Sequence, residues 1–282
     1  MEIITVDTPS LGDRSYVVVD AGEAVVVDPQ RDVDRVLAVV DERALRLTHV
    51  LETHVHNDYV TGGLDLARRT GGAYVLAAAD DVAFERVGAA DGDELAVGGL
   101  VVRALHTPGH TPAHLSWVVS SGGRPVAAFT GGSMLYGTVG RTDLISPEAT
   151  DGLTRAQFHS VRRLARELAD DVGVHPTHGF GSFCASAPAS GADRSTIGRE
   201  REDNVALTID DEERFVAHLL GGVTAHPRYY AHMAPINRRG PAPVDLSAPE
   251  PADPAELRRR VAAGQWVVDV RPRASFARAH LA

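Results

Sequence analysis

The chain has 282 residues, 44% of them hydrophobic, with one cysteine and a formal net charge of −10. That length buries a sizeable core and allows one large domain or one domain and a fragment. The negative balance argues against nucleic acid as a partner, and no run approaches the roughly 18 apolar residues of a membrane span.

The opening segment Met1 to Ser10 has no basic stretch before an apolar run, and a single cysteine excludes an intrachain disulfide, so a cytoplasmic protein acting on a small molecule is expected. Ile3 to Val6, Tyr16 to Val19 and Ala24 to Val27, separated by Gly, Asp and Pro, read as three short strands. Val33, Val36, Leu37 and Val40 then predict an amphipathic helix over Asp32 to Ala44. A strand at Leu47 to Glu52, a His- and Gly-rich loop and a helix from Leu64 to Thr70 follow. Further strands are expected near Ala73 to Ala77, Leu100 to Leu105, Leu115 to Val119 and Val126 to Thr130, then a helix from Leu153 to Leu168 and a strand at Val172 to Pro176. Two sheets covered by helices fit this order.

Six prolines from Pro235 to Pro254 fall within about twenty residues, which predicts a linker over 236–253 between a domain at 1–235 and a fragment at 254–282. In that fragment Pro254 to Gly264 reads as a helix and Trp266 to Val270 as a buried strand. The chain stops at Ala282 before another core closes, so a truncated second domain is expected. The stretch Cys184 to Ala192 reads as a surface loop, with Cys184 incidental to function.

Two segments carry chemistry. Thr53-His54-Val55-His56-Asn57-Asp58-Tyr59 follows one strand, and Thr107-Pro108-Gly109-His110-Thr111 follows another. A chain that curls at a strand end aims His54 and His56 at one point, and a Pro-Gly turn lifts His110 out of the sheet edge. Neutral imidazole is the commonest metal ligand, so His54, His56 and His110 are the candidate metal set. His178 follows a strand and precedes a Gly-rich loop, which marks it for the same site; His49, His106, His159, His218 and His226 lack ligand-like spacing and are assigned structural roles.

Taken in order, these segments resemble the metallo-β-lactamase superfamily, an αββα sandwich, over about residues 1 to 235. Val139-Gly140-Arg141-Thr142-Asp143-Leu144, the Pro-Gly-His turn and the positions Pro227, Tyr229, Met233, Asn237 and Gly240 are similar to its persulfide dioxygenase branch, relatives of glyoxalase II. Val267-Val268-Asp269-Val270-Arg271, with Phe276 and His280, resembles the opening of a rhodanese domain, whose active-site cysteine would lie beyond Ala282. The resemblance implies one Fe(II) per chain, a low-molecular-weight thiol persulfide and O2 as substrates, sulfite and thiol as products, and a rhodanese domain downstream; a homodimer is open. It places Asp58, Tyr59 and His178 around the metal and Arg141 against the substrate's carboxylate, although Arg141 and Asp143 equally form a structural ion pair.

Two positions depart from the family pattern. Tyr59 stands where the superfamily has His, and Gly132 stands where it has the metal-binding Asp that, with two His, holds iron in the dioxygenases. A three-His site remains. The alternatives are a Zn-dependent thioester hydrolase of glyoxalase II type and a degenerate, non-catalytic scaffold that binds a sulfur carrier.

Overall fold

The structure is a computed structural model that describes residues 1–187, 190–271 and 273–280. It divides into two compact units, Met1–Val244 and Asp245–Ala282.

The first unit opens on a meander of β1 (Glu2–Thr8), β2 (Asp13–Asp20) and β3 (Glu23–Val27). Helix α1 (Val33–Glu42) crosses back to β4 (Arg46–Leu51), which runs parallel to β3 with Val26 opposite Val50. Helix α2 (Gly63–Thr70), β5 (Ala73–Ala77) and β6 (Val87–Ala89) complete a six-stranded sheet in chain order.

The second sheet has an antiparallel run of β7 (Glu94–Val97), β8 (Leu100–His106), β9 (Leu115–Ser121) and β10 (Arg124–Gly131). Helix α3 (Pro147–Glu167) returns the chain to β11 (Gly173–Pro176), parallel to β10, and β12 (Ser195–Thr196) forms the edge. Helices α4 (Ile197–Asp203), α5 (Val205–Thr208), α6 (Glu212–Gly222) and α7 (Tyr230–Arg239) finish the unit.

Strand alternation builds the layers. Tyr16, Val18, Val25 and Val27 from the first sheet meet Val102, Ala104, Trp117 and Phe129 from the second in the central core. The other face of the first sheet buries Val17, Val26 and Val50 against Val33, Val36 and Leu66 of its helices. The other face of the second sheet buries Val118 and Ala128 under Phe158, Val161 and Leu164. Each large aliphatic or Phe side chain among them contributes about 1.5–3 kcal/mol of burial, and the result is helix, sheet, sheet, helix, as the strand and helix order predicted.

Three differences from the sequence reading have physical causes. Helix α3 begins at Pro147 rather than Leu153, because the Ser146 side chain accepts from the Ala149 N–H at 3.2 Å and Pro147 takes the first helical position. The first unit runs past 235: α7 continues through Pro235, held by the buried Ala234 packed with Val55 and Leu76, and the Val244 N–H donates to Asp65 at 3.1 Å. Tertiary packing there outweighs the backbone bond that proline forfeits.

The second unit holds α8 (Pro254–Ala262), capped by Asp253 accepting from the Ala255 and Glu256 N–H groups at 2.7 and 2.8 Å, and α9 (Arg273–Arg278). The strand expected at Trp266 to Val270 does not form, and Trp266 and Val270 are about nine-tenths exposed. A buried strand needs a bonded neighbour, and among the described residues of this unit none is paired.

Candidate metal centre

Four strand ends meet at one edge of the sandwich. The chain leaving β4 carries Glu52, Thr53, His54 and His56; the turn between β8 and β9 carries His110 and His114; β10 ends at Gly131, followed by Gly132; and β11 ends two residues before His178. All four of His54, His56, His110 and His178 are buried, and the rings of His54 lie 4.1 Å from His56, 4.7 Å from His110 and 5.3 Å from His178. Linking β4 to this point is the purpose of α7: the Asn237 side chain donates to the His56 and Tyr59 carbonyls at 2.9 Å each and accepts from the Thr61 N–H at 3.0 Å.

Hydrogen bonds settle which ring nitrogens are free. The Arg141 carbonyl, 2.7 Å away, accepts from His110 Nδ1, so the proton sits there and Nε2 is a lone pair, buried and unpartnered. Thr53 Oγ1 donates to Asp28 at 2.7 Å and therefore accepts from His54 Nδ1 at 2.8 Å, freeing His54 Nε2. His178 Nδ1 lies 2.9 Å from Asp13 and 3.3 Å from Asp58, freeing its Nε2, which faces His54 Nε2 at 3.3 Å. Burial holds His54 and His110 well below the usual imidazole range and His178 below it; the charge of His56 adds to the effect on all three, and for His178 the Asp58 carboxylate opposes it. They are neutral ligands in waiting.

His56 is turned differently. Its Nε2 lies 3.3 Å from Asp28, 3.2 Å from Glu52 and 3.0 Å from the Tyr59 hydroxyl, while Nδ1 has no hydrogen-bond partner. Burial works against its charge, yet Asp28 and Glu52 push its pKa well up. Burial also opposes the charge on Asp28, but His56 and the hydroxyls of Thr177 and Thr53 hold that carboxyl at about 2. On the far side, burial pushes Asp13 up to about 7 and Asp58 to about 6.

These donors fit a metal ion. One nitrogen each from His54, His56 and His178 lie within 4.8 Å of one another, as do those of His110 and His178 with the Cys184 sulfur. Two ligands at about 2.0–2.1 Å from a tetrahedral ion stand roughly 3.3 Å apart, which is the separation found between His54 Nε2 and His178 Nε2. The orphaned Nε2 of His110 and Nδ1 of His56 complete the cradle.

The structure therefore gathers the three predicted metal histidines and makes His178, assigned from sequence to the surroundings, the residue shared by these two donor sets and by a third with Asp13 and Asp58. Asp58 stands beside His178, and Tyr59 stacks on His56 with ring centroids 4.3 Å apart. Arg141 spends its guanidinium on Asp143, at 2.7 Å through both Nε and Nη2, and on the carbonyls of Phe183 and Thr224 at 3.2 and 2.8 Å. That is the ion-pair reading, and it fixes the carbonyl on which His110 rests.

Sequence reasoning missed several residues. Cys184, expected in a surface loop, is fully buried at the site; Pro188 and Ala189 of that loop lie outside the described residues. His114 stacks on His54, accepts from the Gly132 N–H at 3.1 Å and is held at about 3 by burial, so it is a neutral buttress. Its spacing four residues after His110 was the available signal. Asp13 and Asp28 gave none, since each is one acid at a strand end. At Gly132 an added Cβ would press into the His110 ring, so His110 occupies the space that a side chain at 132 would need.

Comparison with known proteins places the chain in a family. The chain is 29% identical over 231 residues to human mitochondrial persulfide dioxygenase ETHE1, covering 81% of this chain and 82% of that protein. It is 34% identical over 182 residues to a hydroxyacylglutathione hydrolase of Cereibacter sphaeroides, covering 61% and 64%. The crystal structure of ETHE1 from Myxococcus xanthus superposes with a TM-score of 0.73 at 29% identity, covering 84% of this chain and 98% of that one. The profile of the Metallo-beta-lactamase superfamily matches residues 12–178, and the chain belongs to that superfamily.

Proposed function

We propose that this chain is a mononuclear, metal-dependent dioxygenase that oxidises a low-molecular-weight thiol persulfide: R–S–SH, O2 and water give R–SH, sulfite and two protons. The observation that carries the reading is the buried set of His54, His56 and His178, each with a ligand atom within 4.8 Å of the others, while Tyr59 stands where a second ion would need a histidine. Hydrolases of this superfamily that use two ions need a histidine at position 59, which a one-ion oxygenase does not, and further imidazoles would stand in for the aspartate that Gly132 replaces. The likeness to ETHE1 proteins over more than four-fifths of the chain supports it.

A subset of His54, His56, His110 and His178, whose ligand atoms fall into sets that share His178, would hold Fe(II), which when bound supplies the open positions and redox capacity that O2 and a persulfide sulfur require. The protein's own part is positioning and proton traffic. Asp13 fixes His178 through its Nδ1 proton, and the Arg141 carbonyl fixes His110 in the same way. Asp58 and Asp13, at about 6 and about 7, are poised to take up the persulfide proton near neutral pH. Asp28, Glu52 and Tyr59 keep the His56 ring turned with Nδ1 inward.

A cavity of about 320 Å³ lined by Asn57, His226, Tyr230 and Arg238 adjoins the site, with the Tyr230 hydroxyl 3.9 Å from the Cys184 sulfur. It suits a thiol carrier with carboxylates, received by Arg238 and His226 rather than by the committed Arg141. A rhodanese domain continuing from the second unit would consume or supply the same sulfane sulfur.

The test sets glutathione persulfide against S-lactoylglutathione. Oxygen uptake and sulfite from the first, with no hydrolysis of the second, is the expected result. Hydrolysis of the thioester without oxygen uptake would replace this reading with the zinc hydrolase, and neither activity in a metal-loaded protein would leave the scaffold.

A further inference from the structure

The anions around the metal centre stand on its outer side: Asp28 and Glu52 are engaged with the outer nitrogen of His56, Asp13 and Asp58 lie against Nδ1 of His178, and Gly132 has no side chain. Among the described residues, no candidate metal set places a carboxylate beside the free nitrogen of His110. We propose that the Cys184 thiolate fills this place, so that its sulfur joins the His110 and His178 nitrogens as a ligand to one divalent ion of borderline or soft character. This rests on the metal reading above and adds to it a ligand from a loop that sequence reasoning set aside.

Three observations support the assignment. The sulfur and one nitrogen from each of the two rings lie within 4.8 Å of one another, all fully buried. The His110 Nε2 is a buried lone pair with no partner, so the site is built to receive something that is not a hydrogen-bond donor from the protein. Cys184 also lies outside the apolar clusters of the core: its sulfur has the Tyr230 hydroxyl at 3.9 Å, the Asp58 carboxyl and two histidines around it, which is not the environment of a cysteine serving as a small hydrophobe.

The fold holds it there deliberately. The Arg141 N–H donates to the Cys184 carbonyl at 2.8 Å and the Ser182 hydroxyl accepts from the Cys184 N–H at 3.2 Å, while the Arg141 carbonyl orients His110. One residue thus sets the position of both ligands. A thiolate prefers Fe(II), Zn(II) or Co(II) to Mg(II) or Ca(II), and its proton is released when the ion binds.

The experiment is titration of the metal-free 282-residue chain with Co(II), whose visible bands report binding and whose thiolate-to-metal charge-transfer band in the near ultraviolet reports sulfur ligation. Cys184 is the only cysteine of this chain, so any such band belongs to it. We expect both sets of bands at one equivalent, and expect Cys184→Ser to lose the charge-transfer band and bind Co(II) at least about tenfold more weakly. Visible bands without the charge-transfer band would overturn the thiolate ligand and leave the imidazole site intact. No visible bands at all would overturn the metal reading together with it. The wild-type spectrum decides the matter even where the serine variant fails to fold.

Discussion

His54 and His178 point their Nε2 atoms at each other across 3.3 Å. Both have committed their Nδ1 protons elsewhere, so two lone pairs face one another in a buried space, an arrangement that a cation relieves. Metal binding should therefore stabilise the fold, by about 2.7 kcal/mol when the free ion stands at a hundred times its dissociation constant. Thermal melts with and without Fe(II) or Zn(II), combined with elemental analysis, measure this. His178→Ala should abolish most of the gain and most of the bound metal; full metal retention in that variant would remove His178 from the centre.

Restoring the family's aspartate should not restore a family-like site. The ring of His110 fills the space beside Gly132, so Gly132→Asp must displace it. The variant is expected to lose about 1–3 kcal/mol through overpacking and to bind metal more weakly, as read by denaturant melts and metal content. A stable Gly132→Asp protein that binds iron more tightly would show that His110 moves freely.

Arg141 separates a structural role from a substrate role. Its guanidinium is buried, whereas Asp143 is 23% exposed, so loss of the pair is discounted below the fully buried case. Arg141→Gln should cost about 1–3 kcal/mol and lower metal content, because the carbonyl under His110 and the Cys184 backbone lose their support. The KM for persulfide in the residual metal-loaded fraction should be unchanged; a selective rise in KM at full stability would return Arg141 to the substrate.

The metal-free protein should carry the signature of Asp13. Burial raises its carboxyl from 3.8 to about 7. A folded pKa above the unfolded one contributes stability that is fully present below the unfolded value and is lost as pH rises through the folded one. Asp13→Asn keeps an acceptor for His178 Nδ1 and cannot ionise, so it should gain about 2 kcal/mol or more on wild type between pH 4 and pH 8. Melts of both proteins in chelator at the two pH values give the comparison, and a gain that shrinks with pH would contradict the assignment.

Legibility followed local signal strength. His54, His56 and His110 were readable because each pair of flanking features, a strand before and a Gly-rich turn after, lies within a few residues. The sandwich was readable because its long strands alternate and its main helices are amphipathic. Strands β6, β7 and β12 are too short for periodicity, and α4 to α7 are held by contacts with distant segments. Asp13, Asp28 and Cys184 reach the site from separate strand ends and a loop, where a single residue leaves no pattern. Pro235 inside α7 was misleading for the opposite reason: a strong local signal was outweighed by the packing of Ala234 and the Asn237 side chain.

The most direct test of the account is oxygen consumption by the protein loaded with one Fe(II) per chain and supplied with glutathione persulfide. The account predicts one O2 consumed and one sulfite formed per persulfide, with no uptake from the metal-free protein. Full iron occupancy with no persulfide-dependent uptake would contradict it.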